Sequence, residues 1–521
     1  MVAKGATGSP ANRGIRGSWT RAWRMVLPAA LLIVFASWAA TSPVGSSPDD
    51  DYHLSSIWCA GGERSGVCES DSDDSSLRLI PQSVSFAHEC FAYDASITAD
   101  CTDVLSDGLV ATERVNNVQG LYPTLFYRTM HVFVGEDPQR SVLVMRMFNA
   151  VLFVALLTLA LWMLTPAIRS ALVGTVLVVF IPLGLFIIPS TNPSSWTVTG
   201  LTMLWAFGLA LAQRRSWRSP RTWSLAAFAG LSALLAIGSR VDASAFVALV
   251  VVVVVLLTGI RRARASWISI VVLLVFATVG LTQYATFGTP GSGFTGGMGG
   301  TEPGTGLLLT NMVYLPVYLS GAVGGMALGW NDTALPPMVF VFGLLSLGAL
   351  LARGLEHVPR SKATALAVSL AALVVVPLVF LQREGLAVGE VVQARYLLPS
   401  IIVFVLTLSL AIPYGSSRDQ GIGLSRALAW SLGLGLGASA GVALWVNAHR
   451  YAAGIERGLF DIDLVLDWTG LTALPLPVMV GIGVLASITY VTAAVIGMRN
   501  DGPQGTTGQT DSRTTAFRLV R

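Results

Sequence analysis

Apolar runs of about 20 residues recur along the chain and are separated by short polar stretches. A helix of that length crosses the hydrocarbon core of a bilayer, whereas a soluble helix alternates apolar and polar faces with a period near 3.6. The pattern therefore predicts an all-α polytopic membrane protein with about twelve transmembrane helices. We place these spans at about 25–41, 142–164, 170–189, 195–212, 222–238, 243–260, 266–285, 337–352, 363–381, 396–413, 425–446 and 472–497.

One further apolar run, 307–329, does not fit the alternation of sides. Arg353 follows the span 337–352 and would lie on the outer side if 307–329 also crossed the membrane completely. Pro316 interrupts the run and the sequence GAVGG ends it, so a continuous helix is disfavoured. We expect a re-entrant or interfacial segment.

Charge separates the chain into two regions. Residues 42–140 contain 16 acidic and 5 basic residues, a net charge of −11, while the whole chain carries +4. Basic residues elsewhere cluster at the ends of alternate apolar runs, which is a topology signal and argues against nucleic-acid binding. The positive-inside rule predicts a multi-pass plasma-membrane protein with both termini in the cytoplasm.

This topology divides the chain into five regions. They are a basic cytoplasmic N-terminus (1–24), the first helix (25–41), a large extracytoplasmic loop (42–140), a polytopic domain (141–497) and a disordered cytoplasmic tail (498–521). A signal peptide cleaved after the first run is an alternative that leaves the orientation of the rest unchanged.

All four cysteines lie in the acidic loop, where an oxidising compartment would favour disulfides. Four cysteines allow three connectivities, and we predict the local pairs Cys59–Cys68 and Cys90–Cys101. A zinc site is the alternative, although no C-x-x-C spacing is present.

A run of acids follows the first span in the sequence SPDDDYH, residues 47–53. One interpretation is a helix start with Ser47 as its N-cap and with acids opposing the positive helix end. The other makes Asp49 or Asp50 a general base at the membrane surface, with His53 one turn after Asp49 to orient it or to donate to a phosphate. Asp49 and His53 are also candidate ligands for a divalent metal. The spacing alone leaves these alternatives open.

Arginines and a tyrosine occupy the predicted outer ends of later spans. Arg395 and Tyr396 fit interfacial anchoring, and the planar fork of Arg395 also suits a lipid-linked phosphate. For Arg240 we favour a local ion pair with Asp242 in a tight outer hairpin. The span centres carry few ionisable residues, which argues against an ion-driven carrier.

Several of these motifs resemble those of a bacterial membrane family of unknown function, DUF2142. The opening PDD-x-x-H at 48–53 resembles the family's P-D-[DE]-x-x-H, and LYPTLFY at 121–127 resembles its Y-P-P-L-x-Y segment. Arg146 matches an arginine of the family, and QARYLLP at 393–399 resembles Q-G-R-Y-L-L-P. The resemblance extends over residues from about 25 to 410.

The chain departs from the family pattern in two places. It reads Asn192-Pro193-Ser194 where the family has N-P-D, and its first outer loop is longer and carries its own cysteines. Both departures affect how closely the family's site is reproduced.

The resemblance extends distantly to the GT-C glycosyltransferases, which use sugars linked to lipid phosphates, and it implies a GT-C-like bundle. It implies inverting transfer, in which Asp49 first and Asp50 second is the base that deprotonates an acceptor hydroxyl. Arg395, with Arg240, would stabilise the departing phosphate. The residues expected to contact substrate are His53, Tyr122, Arg240, Gln393, Arg395 and Tyr396.

These observations predict a membrane glycosyltransferase that moves a sugar from a polyprenyl-phosphate donor to a cell-envelope glycan or glycolipid on the extracytoplasmic face. The leaving group is already an ionised phosphate ester, so no cofactor is obligatory, although a divalent metal stays an alternative. A flippase or transporter of a lipid-linked saccharide and a non-catalytic glycan-binding scaffold are the competing functions.

Overall fold

The structure is a computed structural model that describes residues 10–105, 108–287, 304–390, 392–411, 425–459 and 468–501. For residues 10–20, Val104 and Arg426 only the backbone is described. Most of the predicted tail 498–521 lies outside the described residues.

Long helices form the body of the protein. They are α1 (Pro10–Ala40), α6 (Pro138–Met163), α7 (Pro166–Val179), α9 (Ser194–Ala212), α10 (Pro220–Ile237), α11 (Val241–Thr258), α13 (Trp267–Phe287), α16 (Pro337–Leu355), α17 (Arg360–Glu384), α18 (Ala394–Ser409), α19 (Arg426–Ala453) and α20 (Leu476–Asp501). A π-type turn, Phe180–Gly184, joins α7 to the three-residue α8 (Leu185–Ile187), and the short α12 (Ile260–Ala265) precedes α13.

Eleven helices of the described residues are long and apolar enough to cross a membrane, counting α7 and α8 as one. The twelfth apolar helix, α18, has only 16 residues. The protein is therefore an all-α polytopic membrane protein with about the predicted number of spans. Helix α1 begins at Pro10, ahead of the predicted 25–41, because proline favours a first helical turn and the arginines after it are good helix formers.

Two spans form the centre of the bundle. The segments Pro166–Ile187 and Ser194–Ala212 are buried along their whole apolar length, and α9 packs against α10, α11 and α18. A Cβ at Gly200 of α9 would lie 2.5 Å from the Ser232 carbonyl oxygen of α10. Small residues at such crossings let helices in lipid gain van der Waals contact.

The polar region 41–137 folds over one end of the bundle, which we call the loop face. It contains α2 (Asp50–Cys59), α3 (Gln82–Ser85), α4 (Asn116–Gln119), α5 (Thr124–His131), two 3-10 turns (Ala87–Cys90 and Ala99–Val104) and an antiparallel sheet in the order β1 (Glu69–Ser70), β2 (Arg78–Pro81), β3 (Leu109–Thr112). Disulfides join Cys59 to Cys68 and Cys90 to Cys101, the same local pairs that the sequence predicts.

The segment between α13 and α16 stays at the loop face. It forms two short helices, α14 (Thr305–Tyr314) and α15 (Pro316–Ala322), with Pro316 starting the second. At one end Gln382 of α17 donates to the Gly304 carbonyl (3.1 Å), and at the other the Trp330 indole donates to the Gly45 carbonyl (2.8 Å). Both ends lie at the same face, so the run 307–329 does not cross the membrane.

Candidate functional site

The three acids at the start of α2 have three different environments. Asp49 accepts from Arg395, Asp50 accepts from Ser47 and Thr191, and Asp51 forms an ion pair with Arg114. They differ because consecutive side chains at a helix start point about 100° apart around the axis.

The helix-start interpretation of this run is wrong in its details. Helix α2 begins at Asp50, its N-cap is Asp49, and the Asp49 side chain makes no capping hydrogen bond. Ser47 is therefore not the N-cap. The carboxylate that satisfies backbone donors at this end is that of Asp50, which accepts from the Ser47 amide at 3.1 Å.

Asp49 is held in a conformation that aspartate adopts only rarely. Its φ of 61° and ψ of 19° are left-handed, and strained backbone of this kind is concentrated at functional sites. Its carboxylate accepts from Arg395 Nη2 at 2.8 Å and from the Tyr396 hydroxyl at 3.2 Å. About a third of the side chain (31%) stays exposed, so a substrate can reach it.

Arg395 is the charged partner of Asp49 and retains unused donors. Its side chain is 4% exposed, and its Nη2 bonds both Asp49 and the Tyr396 hydroxyl. Among the described residues none accepts a hydrogen bond from its Nε or Nη1, although both atoms are buried. Native proteins rarely leave buried donors unpaired, so these two N–H groups point to a ligand that is anionic or rich in oxygen.

A pocket opens beside Arg395. Its polar lining residues are Gln393, Asn331 and Arg395 itself. The apolar lining residues include Leu183, Phe186, Ile187, Met326 and Leu328. A lining of this mixed character suits an amphiphilic ligand.

A second guanidinium lies next to the first. Arg240 lies over the rings of Tyr396 (5.1 Å) and Tyr122 (5.8 Å). It forms the expected ion pair with Asp242 at 2.9 Å, and its Nη1 lies 3.5 Å from Ser194 Oγ. Ser194 is the position where the family motif carries an acid, so in this chain the carboxylate that holds Arg240 is that of Asp242.

His53 is buried below these groups. Its Nδ1 shares a hydrogen bond with the Tyr127 hydroxyl at 2.9 Å, and its ring packs edge-on against Tyr52 and Tyr122. Burial lowers the pKa of His53 to about 3, and Arg240 and Arg395 oppose its protonation further, against the attraction of Asp49. The imidazole is therefore neutral at pH 7.

The half-buried Asp49 and the fully buried Asp50 have opposite pKa shifts. Burial alone would raise the pKa of Asp49, but Arg395, His53 and the Tyr396 hydroxyl outweigh it and lower that pKa below its ordinary value. Burial raises the pKa of Asp50 to about 6 in spite of Arg146 and the hydrogen bond from Thr191. Asp49 is thus the ionised and accessible carboxylate, and Asp50 is a buried structural one.

The structure brings the predicted site residues Asp49, His53, Tyr122, Arg240, Gln393, Arg395 and Tyr396 to one place at the loop face. It separates Asp50, which faces the opposite way and joins α2 to the 189–193 loop through Thr191 (2.7 Å). The four cysteines lie in the polar region 41–137 that folds over the bundle, and they are not among these site residues.

Two supporting residues were missed by the sequence analysis. Asn116 accepts from the Tyr122 amide (2.8 Å) and the Tyr52 hydroxyl (2.9 Å) and donates to the Tyr122 carbonyl (2.9 Å), so it fixes the tyrosine beside Arg240. No local signal marks Asn116. Tyr127, the partner of His53, lies in the LYPTLFY segment and could have been found from that motif.

Among the described residues no group of three or more histidine, cysteine, aspartate or glutamate side chains is arranged to hold a metal ion. Of the two candidate ligands suggested by spacing, Asp49 bonds Arg395 through Oδ2 and His53 bonds Tyr127 through Nδ1, while the buried Nε2 of His53 has no partner among the described residues.

Comparison with known proteins bears on the family and not on the activity. The chain is similar to the crystal structure of ArnT from Cupriavidus metallidurans in the apo state, with 12% identity and a TM-score of 0.40 over 92% of this chain and 77% of that one. A likeness at that score is too low to support an inference. No curated protein matches the chain. The model of the family described as predicted membrane protein (DUF2142) matches residues 32–405, and the chain belongs to that family.

Proposed function

We propose that the protein is a GT-C-type glycosyltransferase that transfers a sugar from a polyprenyl-phosphate carrier to a cell-envelope glycan or glycolipid at the outer face of the plasma membrane. The observation that carries the proposal is the pairing of a partly exposed, ionised Asp49 with Arg395, whose remaining buried N–H groups have no partner among the described residues.

Arg395 binds the phosphate of the donor. Its Nε and Nη1, on either side of the occupied Nη2, have no partner among the described residues and can each donate to a phosphate oxygen. The adjacent guanidinium of Arg240 adds positive charge as the phosphate departs. The apolar wall of the pocket suits the first isoprenoid carbons of the carrier.

Asp49 is the base. The acceptor hydroxyl gives its proton to the Asp49 carboxylate while its oxygen forms a bond to the anomeric carbon. The bond between that carbon and the phosphate oxygen breaks, and the polyprenyl phosphate leaves with the electron pair. Because attack and departure occur on opposite faces of the sugar, the anomeric configuration is inverted.

Donor binding also tunes the base. In the free protein Arg395 is the strongest favourable partner of Asp49 and helps to lower its pKa. A phosphate on Arg395 neutralises part of that charge, so the pKa of Asp49 rises toward its ordinary value and the carboxylate becomes a better proton acceptor. The base is thus strengthened when donor is present.

The test is linkage analysis of envelope glycans in a deletion strain complemented with wild type, Asp49→Asn or Asp50→Asn. The two substitutions are isosteric and adjacent, so Asp50→Asn is a matched control for changes near α2. We expect deletion to remove one sugar linkage and Asp49→Asn, present in the membrane at wild-type level by blot, to leave it missing. Asp50→Asn is expected to restore it.

Two outcomes would overturn the proposal. Full restoration by Asp49→Asn would leave the protein as a scaffold, in which the acid only positions Arg395. Loss of the whole glycan on deletion, with its lipid-linked precursor accumulating on the cytoplasmic side, would instead indicate a flippase.

A further inference from the structure

An aromatic ring stands exposed at the loop face. Tyr93, in the long loop between the two 3-10 turns, is 75% exposed. Its φ of 67° is left-handed, a conformation that tyrosine rarely adopts. An exposed aromatic held in unfavourable backbone geometry indicates that the presentation of the ring is useful.

The backbone on both sides of Tyr93 is held by hydrogen bonds from α19. Arg450 of α19 donates through Nη2 to the carbonyls of Phe91 (2.6 Å) and Asp94 (3.0 Å), and through Nη1 to that of Ile97 (2.6 Å). The disulfide between Cys90 and Cys101 closes the same loop. The loop therefore presents Tyr93 with little conformational freedom to lose on binding.

Tyr93 is the outer ring of a short aromatic stack. It packs edge-on against Trp330 (5.4 Å between ring centres), and His88 stacks on Trp330 at 4.9 Å. The Trp330 indole donates to the Gly45 carbonyl, and Gly45 approaches so closely that a Cβ there would lie 2.7 Å from the His88 amide. The stack is thus attached to the same chain segment, 41–49, that ends in Asp49.

The aromatic stack stands next to the proposed site. Trp330, against which Tyr93 packs, lies between Gly329 and Asn331 in the chain, and both of these residues line the Arg395 pocket. Partial burial raises the pKa of the Tyr93 phenol, and the charges of Asp49 and Asp51 raise it further, against the opposing effects of Arg395 and Arg114. Arg114, the ion-pair partner of Asp51, is half exposed and can donate to hydroxyl groups.

This combination is the chemistry that recognises a sugar. The C–H face of a pyranose ring is apolar and slightly positive, and it packs on the negative face of an aromatic ring. The hydroxyls around its edge bond best to carboxylate and guanidinium groups, which offer several acceptors and donors at fixed spacing.

We propose that Tyr93 is the acceptor subsite and binds a pyranose ring of the glycan by stacking. The inference rests on the proposed function, because it assigns the Tyr93 stack to the acceptor of that reaction. The stacked ring would present its hydroxyl to the Asp49 carboxylate.

The experiment is saturation-transfer difference NMR on the full-length protein in lipid nanodiscs. The probes are the methyl α- and β-glycosides of D-glucose, D-galactose, D-mannose and L-rhamnose. Tyr93→Asn is the main variant, because asparagine tolerates left-handed backbone and so removes the ring without adding strain. Tyr93→Trp retains an aromatic face, and Tyr314→Ala removes a comparably exposed tyrosine on α14.

We expect at least one glycoside to receive saturation, strongest at the C–H protons of one ring face. Tyr93→Asn should weaken its affinity about tenfold, whereas Tyr93→Trp and Tyr314→Ala should stay within about threefold of wild type. Failure of every glycoside to receive saturation, or equal saturation in Tyr93→Asn and wild type, overturns the subsite and leaves Tyr93 as an interfacial anchor.

The outcome is separable from that of the proposed function. Asp49→Asn should still bind the glycoside, because the stacking surface is intact. If sugar binding depends on Tyr93 while Asp49→Asn restores the glycan linkage in cells, the subsite stands and the transferase proposal fails. If Tyr93→Asn binds normally while Asp49→Asn fails to restore the linkage, the transferase proposal stands and the subsite fails.

Discussion

Two of the aspartate–arginine pairs at the loop face have the same N–O distance of 2.8 Å. In the pair Asp332–Arg450 both side chains are almost completely buried, at 2% and 1% exposed, and Arg450 also bonds three backbone carbonyls, so that among the described residues one of its nitrogens, Nε, lacks a partner. In the pair Asp49–Arg395 the carboxylate is 31% exposed and two arginine nitrogens have no partner among the described residues.

The difference shows that an ion pair at a membrane-protein surface is not informative by its presence alone. What separates the two pairs is how many of their hydrogen-bonding groups are already used. The closed pair, Asp332–Arg450, holds a loop, and the open pair, Asp49–Arg395, has donors and an accessible carboxylate left for a ligand. Each of the following predictions tests that division.

The largest effect is expected from breaking the closed pair. Arg450→Ala leaves the Asp332 charge buried without an opposite charge and removes donors from three carbonyls, which should cost about 3–5 kcal/mol in the free energy of unfolding. Steric trapping in bicelles measures this quantity. A loss below about 1 kcal/mol would mean that the closed pair is not structural.

The second effect concerns Asp50, whose environment is closed although it adjoins the open pair. Between its ordinary pKa of 3.8 and the raised value of about 6, only the folded state holds the proton, so wild-type stability falls as the pH rises through that window. Asparagine at position 50 does not titrate, so the variant lacks this pH dependence of stability. The unfolding free energy of Asp50→Asn should therefore gain up to about 3 kcal/mol on wild type between pH 4 and pH 7.5.

Thermal or chemical unfolding at half-unit pH steps gives both curves. A constant difference between Asp50→Asn and wild type across this range would show that Asp50 titrates normally.

A third prediction exchanges the fork of Arg395 for a point charge. Arg395→Lys keeps the positive charge but loses the planar guanidinium with its separate Nε and Nη1 donors, so affinity for farnesyl phosphate should fall about 10- to 30-fold by isothermal titration calorimetry. Its unfolding free energy should change by no more than about 1 kcal/mol, because the Asp49 carboxylate can still be hydrated. Equal affinity in both proteins would remove Arg395 from the donor site.

The smallest effect is expected from breaking the ion pair between Arg114 and Asp51, the third acid of the run. Arg114 is half exposed, so Arg114→Gln should change the unfolding free energy by less than about 1 kcal/mol. The same unfolding assay measures it. A loss as large as that of Arg450→Ala would show that exposure does not separate the pairs as we propose.

The sequence predicts the bundle well because the bilayer requires long apolar helices, and each apolar run can be recognised from its own residues alone. Local features follow for the same reason: the short disulfide loops and the Arg240–Asp242 pair join neighbours in the chain. The helix start at 47–50 was less predictable, since serine and aspartate are both favoured N-cap residues and Asp49, not the expected Ser47, takes that position.

The site itself depends on contacts between distant segments. Asp49 and Arg395 are 346 residues apart, and Arg450 reaches Asp332 across 118 residues. Spacing cannot reveal such partners, and only the family resemblance brought Asp49 and Arg395 together in advance. Tyr93 and Asn116 carry no motif, so their roles follow from packing alone.

The central claim is that the open pair acts on substrate and the closed pair supports the fold. It is tested most directly by restored glycan linkage per unit of folded membrane protein in the deletion strain, comparing Asp49→Asn with Asp332→Asn. We predict almost no linkage per folded protein for Asp49→Asn at normal protein level. Asp332→Asn should give less protein but retain most of its linkage per molecule. The reverse pattern, or full restoration by Asp49→Asn, would contradict the account.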